Sequence, residues 1–161
     1  MRKLFAKTVL EEMEKNPNIV LITADMGYGV WDSVRDTYPS RFFNVGSAEQ
    51  LMIGCASGFA LEGKIPICYS ITPFAIYRPF EFVRNLMNIE KLPIKIAGGG
   101  RDRDYGYLGF THWAEEDMAI LSVLSNIQSF KPSKDIPEED LVYLFRSVIN
   151  STNPSYINLL K

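Results

Sequence analysis

Short aliphatic runs without polar alternation constrain this chain most. Ile19-Val20-Leu21-Ile22-Thr23 is the clearest of them, and such a run is the pattern of a strand covered on both faces inside a parallel sheet. Comparable runs are expected as strands over 41–45, 65–70, 94–97, 127–130 and 156–160. Between them lie helical patterns. Leu4, Phe5, Val9, Leu10 and Met13 recur at helical spacing until Asn16-Pro17 stops them. A short helix is expected before Pro39, and others over 79–89, 114–124 and 137–150. This order predicts an α/β fold with a mainly parallel sheet and helices on both faces, as one domain over residues 1–161. In such folds ligands sit beyond the carboxyl ends of the strands. Asp25, residues 46–49, Thr72 onward and residues 98–103 all follow expected strands, so one edge of the sheet is where they converge.

Composition excludes several classes of function. The net charge is −2 and the basic residues are scattered, which argues against a nucleic-acid partner. No apolar run approaches membrane-spanning length, and the N-terminal stretch places charges among its apolar residues, so neither a span nor a signal peptide is expected. Cys55 and Cys68 lie in apolar runs without metal-ligand spacing and read as buried free thiols of a reducing, cytoplasmic compartment. No metal site is expected in the chain.

One helix stands out. Gly46 turns the chain, Ser47 is a suitable N-cap, and Gln50 three residues on completes a capping-box pattern for a helix running to about Leu61. Its positions 51–60 are small or apolar nearly all round, the pattern of a buried helix. Small residues at Gly54, Ala56, Ser57 and Gly58 would admit the close approach of another backbone. Glu49 lies in the first turn. Read alone, it is an acid that complements the helix dipole.

The segment Arg41-Phe42-Phe43-Asn44-Val45-Gly46-Ser47-Ala48-Glu49-Gln50, with the Ala60-Leu61-Glu62-Gly63 that ends the helix, resembles the pyrimidine-binding domain of the transketolase family of thiamine-diphosphate enzymes. Thr23-Ala24-Asp25-Met26-Gly27 and Gly109-Phe110-Thr111-His112 are similar to two further family stretches in the same order. The resemblance covers essentially the whole chain. It implies the thiamine-diphosphate-binding fold of the pyrimidine type. It also implies that Glu49 hands a proton to a ring nitrogen of the cofactor's aminopyrimidine, so that the amino group can remove the thiazolium C2 proton. An apolar pocket would favour the proton on Glu49, and the helix N-terminus would oppose it.

By the same resemblance the aminopyrimidine needs an aromatic wall. Phe74, Tyr77 and Phe80 have the family's spacing, although anchoring on Arg84 instead puts Thr72, Ala75 and Arg78 at those positions. Asp25 matches an aspartate facing the thiazolium, or else starts a turn through its side-chain oxygen. His112, the only histidine, matches a substrate-contacting and catalytic residue.

The pattern also breaks. Where the family carries an acidic pair before its Thr-His, this chain reads Gly106-Tyr107-Leu108-Gly109, and a second family histidine falls on Gly100. Both departures affect groups that hold sugar hydroxyls. Arg101 and Arg103 stand nearby as candidates for a substrate carboxylate or phosphate, against the plainer reading of a self-paired charged loop. No Gly-Asp-Gly followed by a downstream Asn occurs, the motif with which the family holds magnesium and the diphosphate. A separate diphosphate-binding (PP) subunit carrying Mg2+ is therefore expected, in a hetero-tetramer. Together the two chains would transfer a ketol or acyl unit from a ketose or 2-oxo acid. A two-chain 2-oxo acid decarboxylase and a non-catalytic relic of the fold are the alternatives.

Overall fold

The computed structural model describes residues 1–161. Six strands form one sheet: β1 Ile19–Thr23, β2 Phe42–Asn44, β3 Ile65–Ile71, β4 Lys95–Gly99, β5 Gln128–Phe130 and β6 Ser155–Leu159. Their order is β2-β1-β3-β4-β6-β5, and every neighbouring pair is parallel. All residues of β1 and β6 are buried, as runs without alternation require.

Successive side chains of each strand feed two separate cores. Ile19, Leu21, Ile67, Tyr69, Ala97, Ile157 and Leu159 pack with Phe5, Val9 and Met13 of α1 (Arg2–Lys15), Val34 of α2 (Asp32–Thr37) and Phe145 of α7 (Glu138–Asn150). Ile22, Cys68, Ile96 and Tyr156 point the other way, onto α3 (Glu49–Leu61), α4 (Thr72–Tyr77) and α6 (Asp117–Ser122). The expected sheet with helices on both faces is what the chain forms. None of its helices is long and apolar enough to cross a membrane.

Two local expectations are corrected, and one helix is added. Ser47 is not the N-cap. The turn at Gly46, closed by Ala48 N–H to Gly46 O at 2.7 Å, makes Ala48 the cap residue, and no side chain caps the helix. Helix α3 is buried on one face only: Met52, Ile53, Ala56 and Ser57 are covered, whereas Leu51 and Leu61 are exposed. The helix expected over 79–89 is present, and a further helix, α4, precedes it directly off β3, with Pro73 in its first turn where a missing N–H costs nothing. After Pro79 come a short turn, α5 (Phe80–Phe82), and a π-helical segment, Val83–Ile89. There Val83 and Met87 are both fully buried. Cys68 is buried, which pushes its thiol pKa up, while Cys55 is half-buried; both are unpaired.

The amino end of the sheet carries one buried cation. Lys95, 1% exposed, donates from Nζ to the carbonyls of Ser151 (2.7 Å) and Asn153 just past the C-terminus of α7, where a positive charge suits the helix dipole. Burial pushes its pKa down to about 8 from an ordinary 10.5. Between those values the unfolded chain binds a proton that the folded chain does not, so this side chain adds stability as pH rises. We expect the stability of the wild type relative to Lys95→Met, measured by urea unfolding, to be flat below pH 8 and to climb from there to pH 10.5. A flat difference throughout would mean that the two carbonyls and the helix end hold the ammonium charged.

Candidate active site

The carboxyl edge of the sheet gathers the residues that sequence singled out. Glu49 enters α3 beside the end of β3 and is 3% exposed. Its two oxygens are both engaged. Oε1 accepts from Ser70 Oγ of β3 at 3.2 Å, and Oε2 accepts from Arg78 Nη1 at 2.8 Å. A buried carboxylate needs such donors, because an unpaired one would forfeit its solvation without return.

Arg78 follows α4 and lies one helical turn after Phe74, so the pair meets on one face. Its guanidinium stacks over the Phe74 ring, 3.7 Å from the centroid. His112 meets the same phenylalanine edge-on at 4.9 Å, and its Nδ1 lies 3.0 Å from Thr111 Oγ1. Glu49, Arg78, Phe74 and His112 thus form one continuous set, ordered from the buried helix start to the exposed loop. Ser70 and Arg78 are additions that motif reasoning did not supply as partners of Glu49. The signal for Arg78 was its helical spacing from Phe74.

Tyr77 and Phe80 go elsewhere. They line an open apolar groove of about 440 Å³ with Ile120 and Val123. Tyr77 donates to Glu116 Oε2 at 3.3 Å, and burial with that carboxylate raises its pKa. Only Phe74 of the three candidate wall residues touches the Glu49 set.

Asp25 ends β1 in the left-handed region (φ 53°), exposed. Tyr28 O–H donates to Asp25 Oδ1 at 2.5 Å and lowers its pKa, with Asn44 Nδ2 second at 3.4 Å. Asn44 Oδ1 in turn accepts the N–H groups of Asp25 and Gly46. Asn44 therefore joins the ends of β1 and β2 just before the turn into α3. Sequence alone had it only as a strand residue.

Arg101 is corrected as a substrate ligand. It is 8% exposed and its guanidinium is spent inside the protein: Nε donates to Asn158 Oδ1, Nη2 to Asn158 O and Nη1 to Pro132 O, each at 2.8 Å. Asn158 passes the connection on to Asp117, a fully buried acid that also accepts from Tyr156 O–H at 2.5 Å. Arginine and aspartate are thereby bridged through one amide, and the loop carrying His112 is pinned to β6. Arg103 stays outside. It pairs with Glu115 at 3.0 Å and stacks on Trp113 at 4.1 Å, the self-paired loop of the plainer reading.

The glycines before Arg101 serve packing. A Cβ at Gly98 would lie 2.5 Å from Thr72 Oγ1, and one at Gly99 would lie 2.5 Å from Tyr69 O–H. The bareness of Gly98 lets α4 sit on β4, where Thr72 Oγ1 donates to Gly100 O at 2.6 Å, and that of Gly99 makes room for Tyr69 of β3. No group of three or more His, Cys, Asp or Glu side chains converges as a set of metal ligands.

A parallel sheet with a buried glutamate, a stacked aromatic and a histidine on its carboxyl edge defines an α/β protein of the ligand-edge type. The chain belongs to the transketolase pyrimidine-binding domain family: the family model "Transketolase, pyrimidine binding domain" matches residues 1–161. It is similar to one of the subunits of apulose-4-phosphate transketolase from Actinobacillus succinogenes, 36% identical over 122 residues that cover 76% of this chain and 38% of that one. It is also similar to the 6-deoxy-6-sulfo-D-fructose transketolase subunit SqwH of a Clostridium species, 30% identical over 162 residues, covering 100% of this chain and 49% of that one. Among solved structures, a split-gene transketolase described as an inactive beta4 tetramer superimposes with a TM-score of 0.83 at 33% identity, over 98% of this chain and 50% of that one. The chain spans about half the length, or less, of these relatives.

We expect Arg101→Met to lower unfolding stability by about 1–3 kcal/mol, because three buried acceptors lose their donor. Urea unfolding measures it. A loss below about 0.5 kcal/mol, the range of ordinary surface substitutions, would mean that the loop stands without this anchor.

Proposed function

We propose that residues 1–161 act as the pyrimidine-binding unit of a two-chain, thiamine-diphosphate-dependent transferase of transketolase type. The observation that carries this reading is Glu49, held 3% exposed at the start of α3 with an aromatic face one side chain away. A planar, hydrogen-bonding ring fits that place, since a planar guanidinium already lies there against both Phe74 and Glu49. Bound thiamine diphosphate supplies a thiazolium carbon that makes and breaks carbon–carbon bonds beside a carbonyl.

This chain's own residues have separate tasks. Glu49 holds or releases a proton at Oε2 toward the ring nitrogen, while Ser70 fixes Oε1. Phe74 forms the wall. Asp25, oriented by Tyr28 and Asn44, presents negative charge at the end of β1, where the thiazolium is expected. His112, beside Phe74 on an exposed loop, is the group of this chain that meets substrate, while Arg103 stays with Glu115. The diphosphate and Mg2+ fall to a separate diphosphate-binding subunit, in keeping with relatives that are themselves named as subunits. A hetero-tetramer is the expected assembly, and the exposed Leu51 and Leu61 of α3 are available to it. Two unpaired cysteines support a cytoplasmic location.

A ketose donor is favoured over a 2-oxo acid. With Arg101 turned inward and Arg103 paired, no free arginine of this loop is left to fix a carboxylate. The test is reconstitution with the diphosphate-binding partner. Glu49→Gln should slow exchange of the cofactor's C2 proton by about 10²–10⁴-fold, the worth of a positioned acid–base group, and exchange at the wild-type rate would refute the role. Aldehyde and carbon dioxide formed from a 2-oxo acid without any acceptor would instead identify a decarboxylase.

A further inference from the structure

Arg78 occupies two surfaces at once. Its guanidinium covers the face of Phe74 at 3.7 Å and donates to Glu49 Oε2 at 2.8 Å. A guanidinium is planar, stacks on aromatic faces and offers N–H donors in its plane. An aminopyrimidine is likewise planar and stacks on aromatic faces, and in its plane a ring nitrogen can share a proton with a carboxyl group. One aromatic face admits one stacked plane, and one carboxylate oxygen already bonded to Arg78 is not free for a ring nitrogen.

We infer that Arg78 is an internal placeholder for the aminopyrimidine ring, filling the ring's position in the free chain and leaving it when the ring enters. The inference rests on the reading of Glu49 and Phe74 given above. The two partners differ in freedom. Glu49 is buried, with its side chain 2% exposed and bonded to Ser70, whereas the Arg78 side chain is 48% exposed and reaches solvent by rotating about its own bonds. The placeholder has a physical reason to exist, because a buried carboxylate without a second donor would be unpaired. Ring entry then exchanges the Arg78 N–H for a ring nitrogen that shares a proton with Oε2, so one proton is taken up from solvent as the guanidinium leaves. Affinity for the ring is reduced by the fraction of chains in which Arg78 stands aside, so the site fills well only when further contacts, such as those of a diphosphate-binding partner, add to the ring's own.

The free chain tests this with 4-amino-5-(hydroxymethyl)-2-methylpyrimidine, the isolated ring, as probe and protein-observed NMR as readout. Arg78→Ala should bind the probe roughly tenfold more tightly than wild type if Arg78 stands aside in about a tenth of wild-type chains. In the wild type, the Arg78 Nε–H resonance should leave its Phe74 ring-shifted position as probe is added. The amide spectrum reports that each variant is folded. Glu49→Gln in the Arg78→Ala background should lose the gain. No gain in Arg78→Ala, with weakened binding in Glu49→Gln, would overturn the placeholder and leave the role of Glu49 standing. A gain that survives Glu49→Gln would overturn the role of Glu49 itself, and the placeholder with it.

Discussion

A parallel sheet covered on both faces is the constraint from which the rest of this structure follows. Each strand must give one set of side chains to the core of α1, α2 and α7 and the alternate set to the core of α3, α4 and α6. Polar chemistry is left to the edges. At the amino edge the answer is a single buried lysine on the end of α7. At the carboxyl edge it is a line of polar groups, running from Asn44 and Asp25 past Glu49 and Ser70 to Thr72, Arg101, Asn158 and Asp117. Within each cluster along this line, hydrogen bonds hold loops in fixed relation to strands because the bonded groups satisfy one another.

The two halves of that line do different work. From Arg101 to Asp117 it is closed: every donor meets an acceptor within the chain, and the result is a pinned loop. Around Glu49 it is open at one end, because the outer partner is a half-exposed arginine lying over an aromatic ring. Burial fixes the carboxylate, and exposure leaves its partner exchangeable. That asymmetry separates a structural network from a working site more clearly than the kinds of residue present, since both contain an arginine and an acid.

The fold was legible in the sequence wherever hydrophobic pattern decided it. All six strands, the first and last long helices and the position of Glu49 in the first turn of α3 follow from period and turn chemistry. What escaped depended on contacts between distant residues. The switch of Arg101 from ligand to anchor needs Asn158, 57 positions away, and Pro132. The helix directly after β3 escaped because the helical stretch reads as starting at Pro79, while in space Pro73 already stands in a first helical turn. Ser47 satisfied a capping pattern, yet the turn at Gly46 carried the helix start beyond it. Phe74 and Tyr77 were equivalent by spacing, and only α6, with Glu116 just before it, parts them by giving Tyr77 another partner.

The strand order has a consequence for how the chain comes together. β5 precedes β6 in sequence but lies outside it in the sheet, touching only β6. During synthesis β5 thus emerges before the strand that will hold it, with no ladder to join until residues 155–159 have docked on β4. Until then Gln128–Phe130 is a strand in waiting, and α7, made in the interval, has only part of its sheet to cover. Closure of the sheet thus waits on a non-local pairing, the kind of step that slows folding and leaves an edge open meanwhile.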